Sequence, residues 1–223
     1  MKYLKRLIYV MLFLLICFTI SSSFFKRANL KPVKAQLDAM DLNGVDKLMI
    51  VAHPEDESVW GGVHLLEDSY LVVCVSCGFD EKKDNDLSSV LNYTNDKLVM
   101  LGYSDKYLIR RDYRDVKKGL KKILKYKNWN LVVTHNPDGE TGNVEHKQIS
   151  EIVTDLEIDN LYYFGKYYSK KQLSQNDNVT TLKSKLIKEK INNLIKTYND
   201  KNLNHYQHMF PFEDWVRRDD YRF

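Results

Sequence analysis

The first twenty-five residues follow a different pattern from the rest of the chain. Lys2, Lys5 and Arg6 precede a nearly unbroken apolar run over residues 7–20, which Ser21-Ser22-Ser23-Phe24-Phe25 prolongs as far as Lys26-Arg27. Counted to Phe25 the run is 19 residues, near the ~20 that a helix needs to cross a bilayer. Two readings fit: a signal peptide cleaved in the serine run, or an uncleaved signal anchor. Phe24-Phe25 and the lack of a small-x-small-Ala site favour the anchor. Ile16 before Cys17 argues against lipoprotein cleavage. The expected layout is a transmembrane segment at 1–25, a polar juxtamembrane linker at 26–44 with a helix near 33–40, and a catalytic domain at 45–223.

From residue 45 onward, short apolar runs alternate with longer stretches of helical period. Residues 47–52, 70–76, 129–134 and 161–164 have strand length and composition, and a further short strand is expected at 106–109. Helices are expected at 57–66, at 88–101 with Gly102 as a C-cap glycine, and at 113–126, 145–156 and 179–197. In the last, Leu182, Leu186, Ile187, Ile191, Leu194 and Ile195 recur at helical spacing. Strands alternating with helices imply parallel βαβ units and an α/β fold covered on both faces. Ligands in such folds bind at the carboxyl ends of the strands.

Composition narrows the class. With 43% hydrophobic and 29% charged residues the chain is globular, not disordered, and 223 residues suit one domain. The net charge of +4 gathers around the apolar segment and in two lysine-rich stretches. No nucleic-acid motif accompanies them, so nucleic acid is excluded as a partner. The stretches read as solvated helix faces, with an anionic membrane surface the favoured partner. Fifteen tyrosines and nine phenylalanines read first as core packing, with a lined pocket as the alternative. Cys17 lies in the apolar segment. Cys74 and Cys77 sit three apart in a strand-like run, where they should point to opposite faces and serve as structural thiols. Basic residues flank both ends of the apolar run, so orientation is weakly set. An external catalytic domain is preferred, with the cytoplasmic face as the alternative. Oligomeric state is not legible.

The chemistry concentrates after two of the strands. Ala52-His53-Pro54-Glu55-Asp56-Glu57 places an imidazole and three carboxylates in one loop, a charge density that needs a cation or a substrate to offset it. His53 and Asp56 are close enough in a turn to share a metal. Zinc takes N and O ligands, with three from the protein in a catalytic site, and the loop after residues 129–134 offers His146 as the third. Glu55 then lies where a base can take a proton from an attacking water while the metal polarises a carbonyl. Glu57 reads as structural, His64 as a packing or surface histidine, and His205 and His208 as residues of an aromatic tail that can approach the pocket.

The first motif resembles the Ala-His-Pro-Asp-Asp-Glu signature of the N-acetylglucosaminyl-phosphatidylinositol deacetylase (PIG-L/LmbE-like) family. The second half of that signature, a strand, a Gly-containing loop and His-x-x-His, is matched by Thr134-His135-Asn136-Pro137-Asp138-Gly139-Glu140-Thr141-Gly142-Asn143-Val144-Glu145-His146. The resemblance covers roughly residues 45–165. It implies a Rossmann-like three-layer α/β sandwich with a mostly parallel sheet. It also implies zinc held by His53, Asp56 and His146, Glu55 as general base, and hydrolysis of the acetamide of an N-acetylglucosamine-type sugar in a cell-envelope glycan or glycolipid. Three departures accompany it. Glu55 stands where the family has Asp. Asn143 replaces the first histidine of His-x-x-His, and an asparagine can donate to an oxyanion but cannot deliver a proton; His135, which opens the same loop, is the candidate to compensate. The family's substrate-contacting arginine before Leu-Gly has no counterpart at Val90 and Tyr93, which leaves Arg110 and Arg111 as candidates. A catalytically weak or inactive zinc-binding relative, acting as a carbohydrate-binding or assembly component, is the alternative reading.

Overall fold

The computed structural model describes residues 2–28, 31–78, 80–103, 108–174, 184–198 and 201–222. Within these, β1 (Lys47–Val51), β2 (Tyr70–Cys74), β3 (Lys97–Met100), β4 (Leu131–Thr134), β5 (Leu161–Tyr163) and β6 (Val216–Arg217) form one sheet of order β3-β2-β1-β4-β5-β6. The first five strands are parallel, and β6 pairs antiparallel with β5. The central strands β1, β2 and β4 are buried on both faces, as a sheet covered on both sides requires. Alternation along β1 divides the core. Leu48 and Ile50 join one apolar cluster with Leu37, Val116, Leu120, Ile123, Ile149 and Ile152. These come from α2 (Val33–Asp38), α5 (Arg110–Leu124) and α6 (Val144–Thr154). Met49 and Val51 join the other, with residues of α3 (Asp56–Glu67) and α4 (Glu81–Thr94) and with Leu194. The result is a three-layer α/β sandwich.

Several expected elements change at their ends. The helix expected at 88–101 is two elements. Asp80 caps α4 through hydrogen bonds from the Lys82 and Lys83 amides, so the helix starts in a polar stretch that hydrophobic periodicity cannot register. Asn95, at φ 63°, ends it, and after Asp96 the four residues Lys97–Met100 are β3. Gly102 follows that strand and is not a helix cap. Met100 is held at the sheet edge by Gln36 of α2, which donates to its carbonyl and accepts from its amide, both at 2.9 Å. The helix expected at 179–197 is described from Ser184: α8 (Ser184–Glu189) runs through a π-helical turn (Lys190–Ile195) into α9 (Lys196–Tyr198). Between β5 and α8 lies the short α7 (Lys170–Leu173). Of the strand expected at 106–109, residues 106–107 lie outside the described residues, and 108–109 are not strand. Cys74 and Cys77 are free and buried in one cluster, not on opposite faces. The reason is that β2 ends at Cys74, and Cys77 turns back so that its thiol reaches the Cys74 carbonyl at 3.2 Å.

Residues Lys2–Ala28 form a helix, α1, of 27 residues, whose large apolar side chains from Tyr3 to Phe18 are exposed. Among the described residues no helix is long and apolar enough to cross a membrane, so the expected transmembrane helix is not supported.

α3 carries two mid-helix glycines because its neighbours come close. A Cβ on Gly61 would meet Met49 Cε at 2.5 Å, and one on Gly62 would meet the Lys190 side chain at 3.0 Å. Lys190 is completely buried. Its ammonium donates to the Val59 carbonyl at 2.8 Å and to Glu213 at 2.5 Å. Glu213 in turn accepts from the Val63 and His64 amides and from His64 Nδ1. Against its burial, Lys190 and His64 hold the Glu213 carboxyl below its ordinary range. This pair fastens α3, which begins at Asp56, to both the π-helical turn and the C-terminal segment.

Candidate metal centre

Strand order alone locates the site. From β1 the chain proceeds outward through β2 and β3, and from β4 it proceeds the other way through β5. The loops leaving β1 and β4 therefore diverge across a crevice at the carboxyl edge, which is where ligands settle in open parallel sheets. His53, Glu55 and Asp56 follow β1, and His135, Glu140, Asn143 and His146 follow β4.

The structure brings His53, Asp56 and His146 together. His53 Nδ1, Asp56 Oδ2 and His146 Nε2 are each 3.3 Å from the other two. Zinc bonds of about 2.0–2.2 Å in tetrahedral geometry set ligand atoms about 3.3–3.5 Å apart, so the triangle has the size that such an ion requires. The donor set, two imidazole nitrogens and one carboxylate oxygen, is also a zinc set. Against its burial, Asp56 is held well below the usual carboxylate range, chiefly by the charge on His146. Burial works against a charged His146, but Asp56 and Glu140 outweigh it and push the imidazole up to about 10. A proton there and a cation in the triangle are alternatives, because both need the Nε2 lone pair.

Behind the triangle lies a bridge. Glu140 is buried and left-handed at φ 49°. Its Oε2 accepts from His146 Nδ1 at 2.6 Å and from His135 Nδ1 at 3.0 Å, and its Oε1 accepts from the Asn136 amide at 2.8 Å. The Ala52 amide donates to His135 Nε2 at 2.9 Å. A backbone N–H can only donate, so His135 Nε2 is an acceptor and its proton is on Nδ1. The chain Ala52–His135–Glu140–His146 thus ties the β1 loop to the β4 loop. It also fixes the His146 tautomer that leaves Nε2 free for a metal, the role carboxylates play behind metal-binding histidines. His135, Glu140 and His146 form a second tight cluster, but every facing nitrogen carries a proton or already accepts one, so no lone pairs remain for an ion.

A cavity of about 160 Å³ opens on the triangle. One wall is polar, with His53, Glu55, Asp56, Asn143 and His146. The other is Val59 and Trp60 of α3 with Leu203 and Tyr206 of a 3₁₀ helix (Lys201–Met209). Trp60 and Tyr206 meet edge to face, their ring centroids 5.9 Å apart. Glu55 stands at φ 86°, a left-handed conformation that costs a non-glycine residue about 1–3 kcal/mol and is found mostly at functional sites. Burial first, then the Asp56 charge, push its carboxyl up to about 8, against the pull of the Lys83 ammonium 3.4 Å away.

The other expected site residues separate here. Asn143 is the N-cap of α6: its Oδ1 accepts from the Glu145 and His146 amides at 2.8 and 3.3 Å while the residue also lines the cavity. His135 is fully buried, stacked on His146 with centroids 3.8 Å apart, and does not line the cavity. With Nε2 taken by Ala52 it has no proton to offer a substrate there. Arg110 and Arg111 are exposed in the first turn of α5 and line no part of this cavity. The cation that does is Lys83. Glu57 is buried and accepts from Ser58 and Tyr198. His64 stacks on Trp215 at 3.6 Å, and His208 bonds the Tyr168 carbonyl; the aromatic tail reaches the cavity through Tyr206 instead. Lys83, Trp60, Leu203 and Tyr206 lie outside both motifs, and Glu140 lies inside the second, where sequence reasoning gives it no role. The one sequence signal among them is Glu140, in a glycine-bounded turn between two histidines.

No protein-family model matches the chain. An uncharacterized protein, L374, of Acanthamoeba polyphaga mimivirus is 32% identical over 142 residues, covering 55% of this chain and 62% of that protein. This chain therefore spans less than two thirds of that relative. Two solved structures share the fold. The antimicrobial A40926 pseudoaglycone deacetylase Dbv21 aligns with a TM-score of 0.53 at 11% identity, over 74% of this chain and 83% of that one. A triple mutant of a deacetylase of the teicoplanin biosynthetic pathway aligns with a TM-score of 0.57 at 12% identity, over 79% of this chain and all of the other. At such identities the likeness is one of fold: this chain has the α/β architecture of those two deacetylases.

Proposed function

We propose that this chain is a zinc-dependent N-deacetylase that hydrolyses the acetamide of an N-acetylglucosamine-type sugar in a cell-envelope glycan or glycolipid. The observation that carries the reading is the 3.3 Å triangle of His53 Nδ1, Asp56 Oδ2 and His146 Nε2 at the floor of a cavity. The fold shared with two deacetylases supports it.

A zinc ion bound in the triangle supplies Lewis acidity toward water and the amide carbonyl. Glu55, whose raised value suits a base working near neutral pH, takes a proton from the attacking water. It returns that proton to the amide nitrogen as the C–N bond breaks, so acetate and a free amine leave. Asn143 can donate from Nδ2 to the developing oxyanion while its Oδ1 caps α6. Trp60 and Tyr206 offer aromatic surface to a sugar ring. The exposed apolar side chains of α1 would be buried by a lipid surface, which would hold the domain near a lipid-linked or wall-linked substrate.

One observation favours a second reading. The cap made by Asn143 leaves no ionisable group in the position of the family's charged histidine, and losing one such partner typically costs about 10²–10³ in rate. A slow or inactive relative that binds zinc and sugar is the alternative. The purified chain should contain near one zinc, lost on His53→Ala; a wild type without metal refutes both readings. Acetate release from N-acetylglucosamine-containing lipids or wall fragments separates them, since a zinc-loaded protein that releases none is the second kind.

A further inference from the structure

The side of α5 away from the sheet is a basic stripe. Arg111, Arg114, Lys118, Lys121, Lys122 and Lys125 are all exposed. Their spacing places them along one side of the helix for about 20 Å. Val116, Leu120 and Ile123, on the opposite side, are buried in the core. The two acids of α5, Asp112 and Asp115, are only half-exposed, and both are engaged in interactions. Lys117 lies off the stripe and pairs with Asp155 of α6 at 2.9 Å. The fold needs none of the stripe's charges for packing.

A second observation says what covers this surface. α2 packs on α5, with Tyr126 donating to Asp38 at 3.2 Å and Val33 lying against the core that α5 helps to build. α1 ends at Ala28, and α2 begins at Val33. The few residues between them span at most about 17 Å even when extended. The helix with the exposed apolar side chains Leu7, Ile8, Met11, Leu12 and Leu15 therefore joins the domain on the flank of the basic stripe. An apolar helix tethered at the flank of a row of cations gives the two signals that together make lasting attachment to a charged bilayer. A single-stranded nucleic acid would instead be met by aromatic residues among the cations; none of the six stripe residues is aromatic, and the exposed Tyr126 at the end of the stripe is engaged with Asp38.

We propose that α5 is a membrane-docking surface, its basic stripe lying on the headgroups of an anionic lipid bilayer beside the lipid-immersed α1. Such contact requires no membrane span. It is independent of the deacetylase reading, because no stripe residue lines the cavity.

The test uses the full chain, vesicles of phosphatidylcholine alone or mixed with phosphatidylglycerol, and the triple variant Lys118→Glu, Lys122→Glu, Lys125→Glu. α1 is unchanged in the variant, so its contribution cancels. The native chain should partition more strongly onto the mixed vesicles and lose that gain in high salt. The triple variant, folded by circular dichroism, should lose it by about a hundredfold or more. Three results would overturn the proposal: equal native partition onto neutral and anionic vesicles, a triple variant that keeps the gain, or tighter capture by duplex DNA or heparin than by anionic vesicles.

Discussion

Replacing Glu140 with glutamine tests whether the bridge behind the triangle sets metal affinity. In the native site Oε2 accepts from two imidazole N–H groups and Oε1 accepts from the Asn136 amide. All three partners are donors, so the site needs two accepting oxygens. Glutamine has one. If its oxygen faces the histidines, its amide faces the Asn136 N–H; if its amide faces the histidines, two buried donors lose their acceptor. Leaving one buried donor unsatisfied costs about 1–3 kcal/mol. The charge that holds His146 in its metal-binding tautomer is lost as well. Losing such a carboxylate typically weakens metal binding by about 10–100-fold, which corresponds to about 1.4–2.8 kcal/mol, so the two estimates agree. Zinc affinity is measured by competition with a chromophoric chelator, on variant protein that circular dichroism shows to be folded. Glu140→Asp, which keeps the charge but shortens the reach, should fall between the native chain and Glu140→Gln. Native affinity in Glu140→Gln would refute the reasoning, because the bridge would then be structural ornament to the triangle.

Three further predictions concern other parts of the molecule. Asn143→Ala removes the cap of α6 and should cost about 1 kcal/mol in chemical denaturation, while also weakening zinc binding because the cap holds the His146 amide; unchanged affinity would separate the cap from the site. Glu213→Gln leaves the Lys190 ammonium buried without its counter-charge and should cost about 3–5 kcal/mol, whereas the double change Lys190→Met, Glu213→Leu should cost much less than the two single changes added together. His146 is held at about 10, so below that pH zinc displaces a proton. The apparent zinc affinity should therefore rise as pH increases, by about tenfold per unit for one proton released, and calorimetry in buffers of different ionisation enthalpy should count that proton.

The strands that bear the site were legible because each is a short apolar run buried on both faces, and a continuous apolar signal survives without tertiary information. The motif residues His53, Asp56 and His146 were legible because such a density of ionisable groups directly after a strand is expensive without a ligand. The start of α4 was not. Its first turns, Glu81 to Asp86, contain no apolar residue, and the helix is held there by the Asp80 cap and by burial of Leu87, Val90 and Leu91 farther along. β3 was hidden for the opposite reason: Leu98, Val99 and Met100 continue the apolar rhythm of the preceding helix, and only Asn95, in the left-handed conformation, and Asp96 separate the two.

The roles around the candidate metal site depended on the third dimension. By itself the sequence determined the α/β class, the two loops that carry the chemistry, and the three residues able to hold an ion, because these follow from local pattern and ligand type. Tertiary structure decided the rest, because each decision turned on an atom brought from far along the chain. The Ala52 amide, 83 residues from His135, makes that histidine an acceptor and removes it from the list of acids. Lys83, not Arg110 or Arg111, supplies the cation in the cavity, because α4 begins at the crevice while the first turn of α5 opens to solvent. Tyr206 and Leu203 close the cavity from a segment more than fifty residues past His146. Sequence spacing carries none of these contacts, since they exist only once the sheet has set its strand order and placed the crevice between β1 and β4.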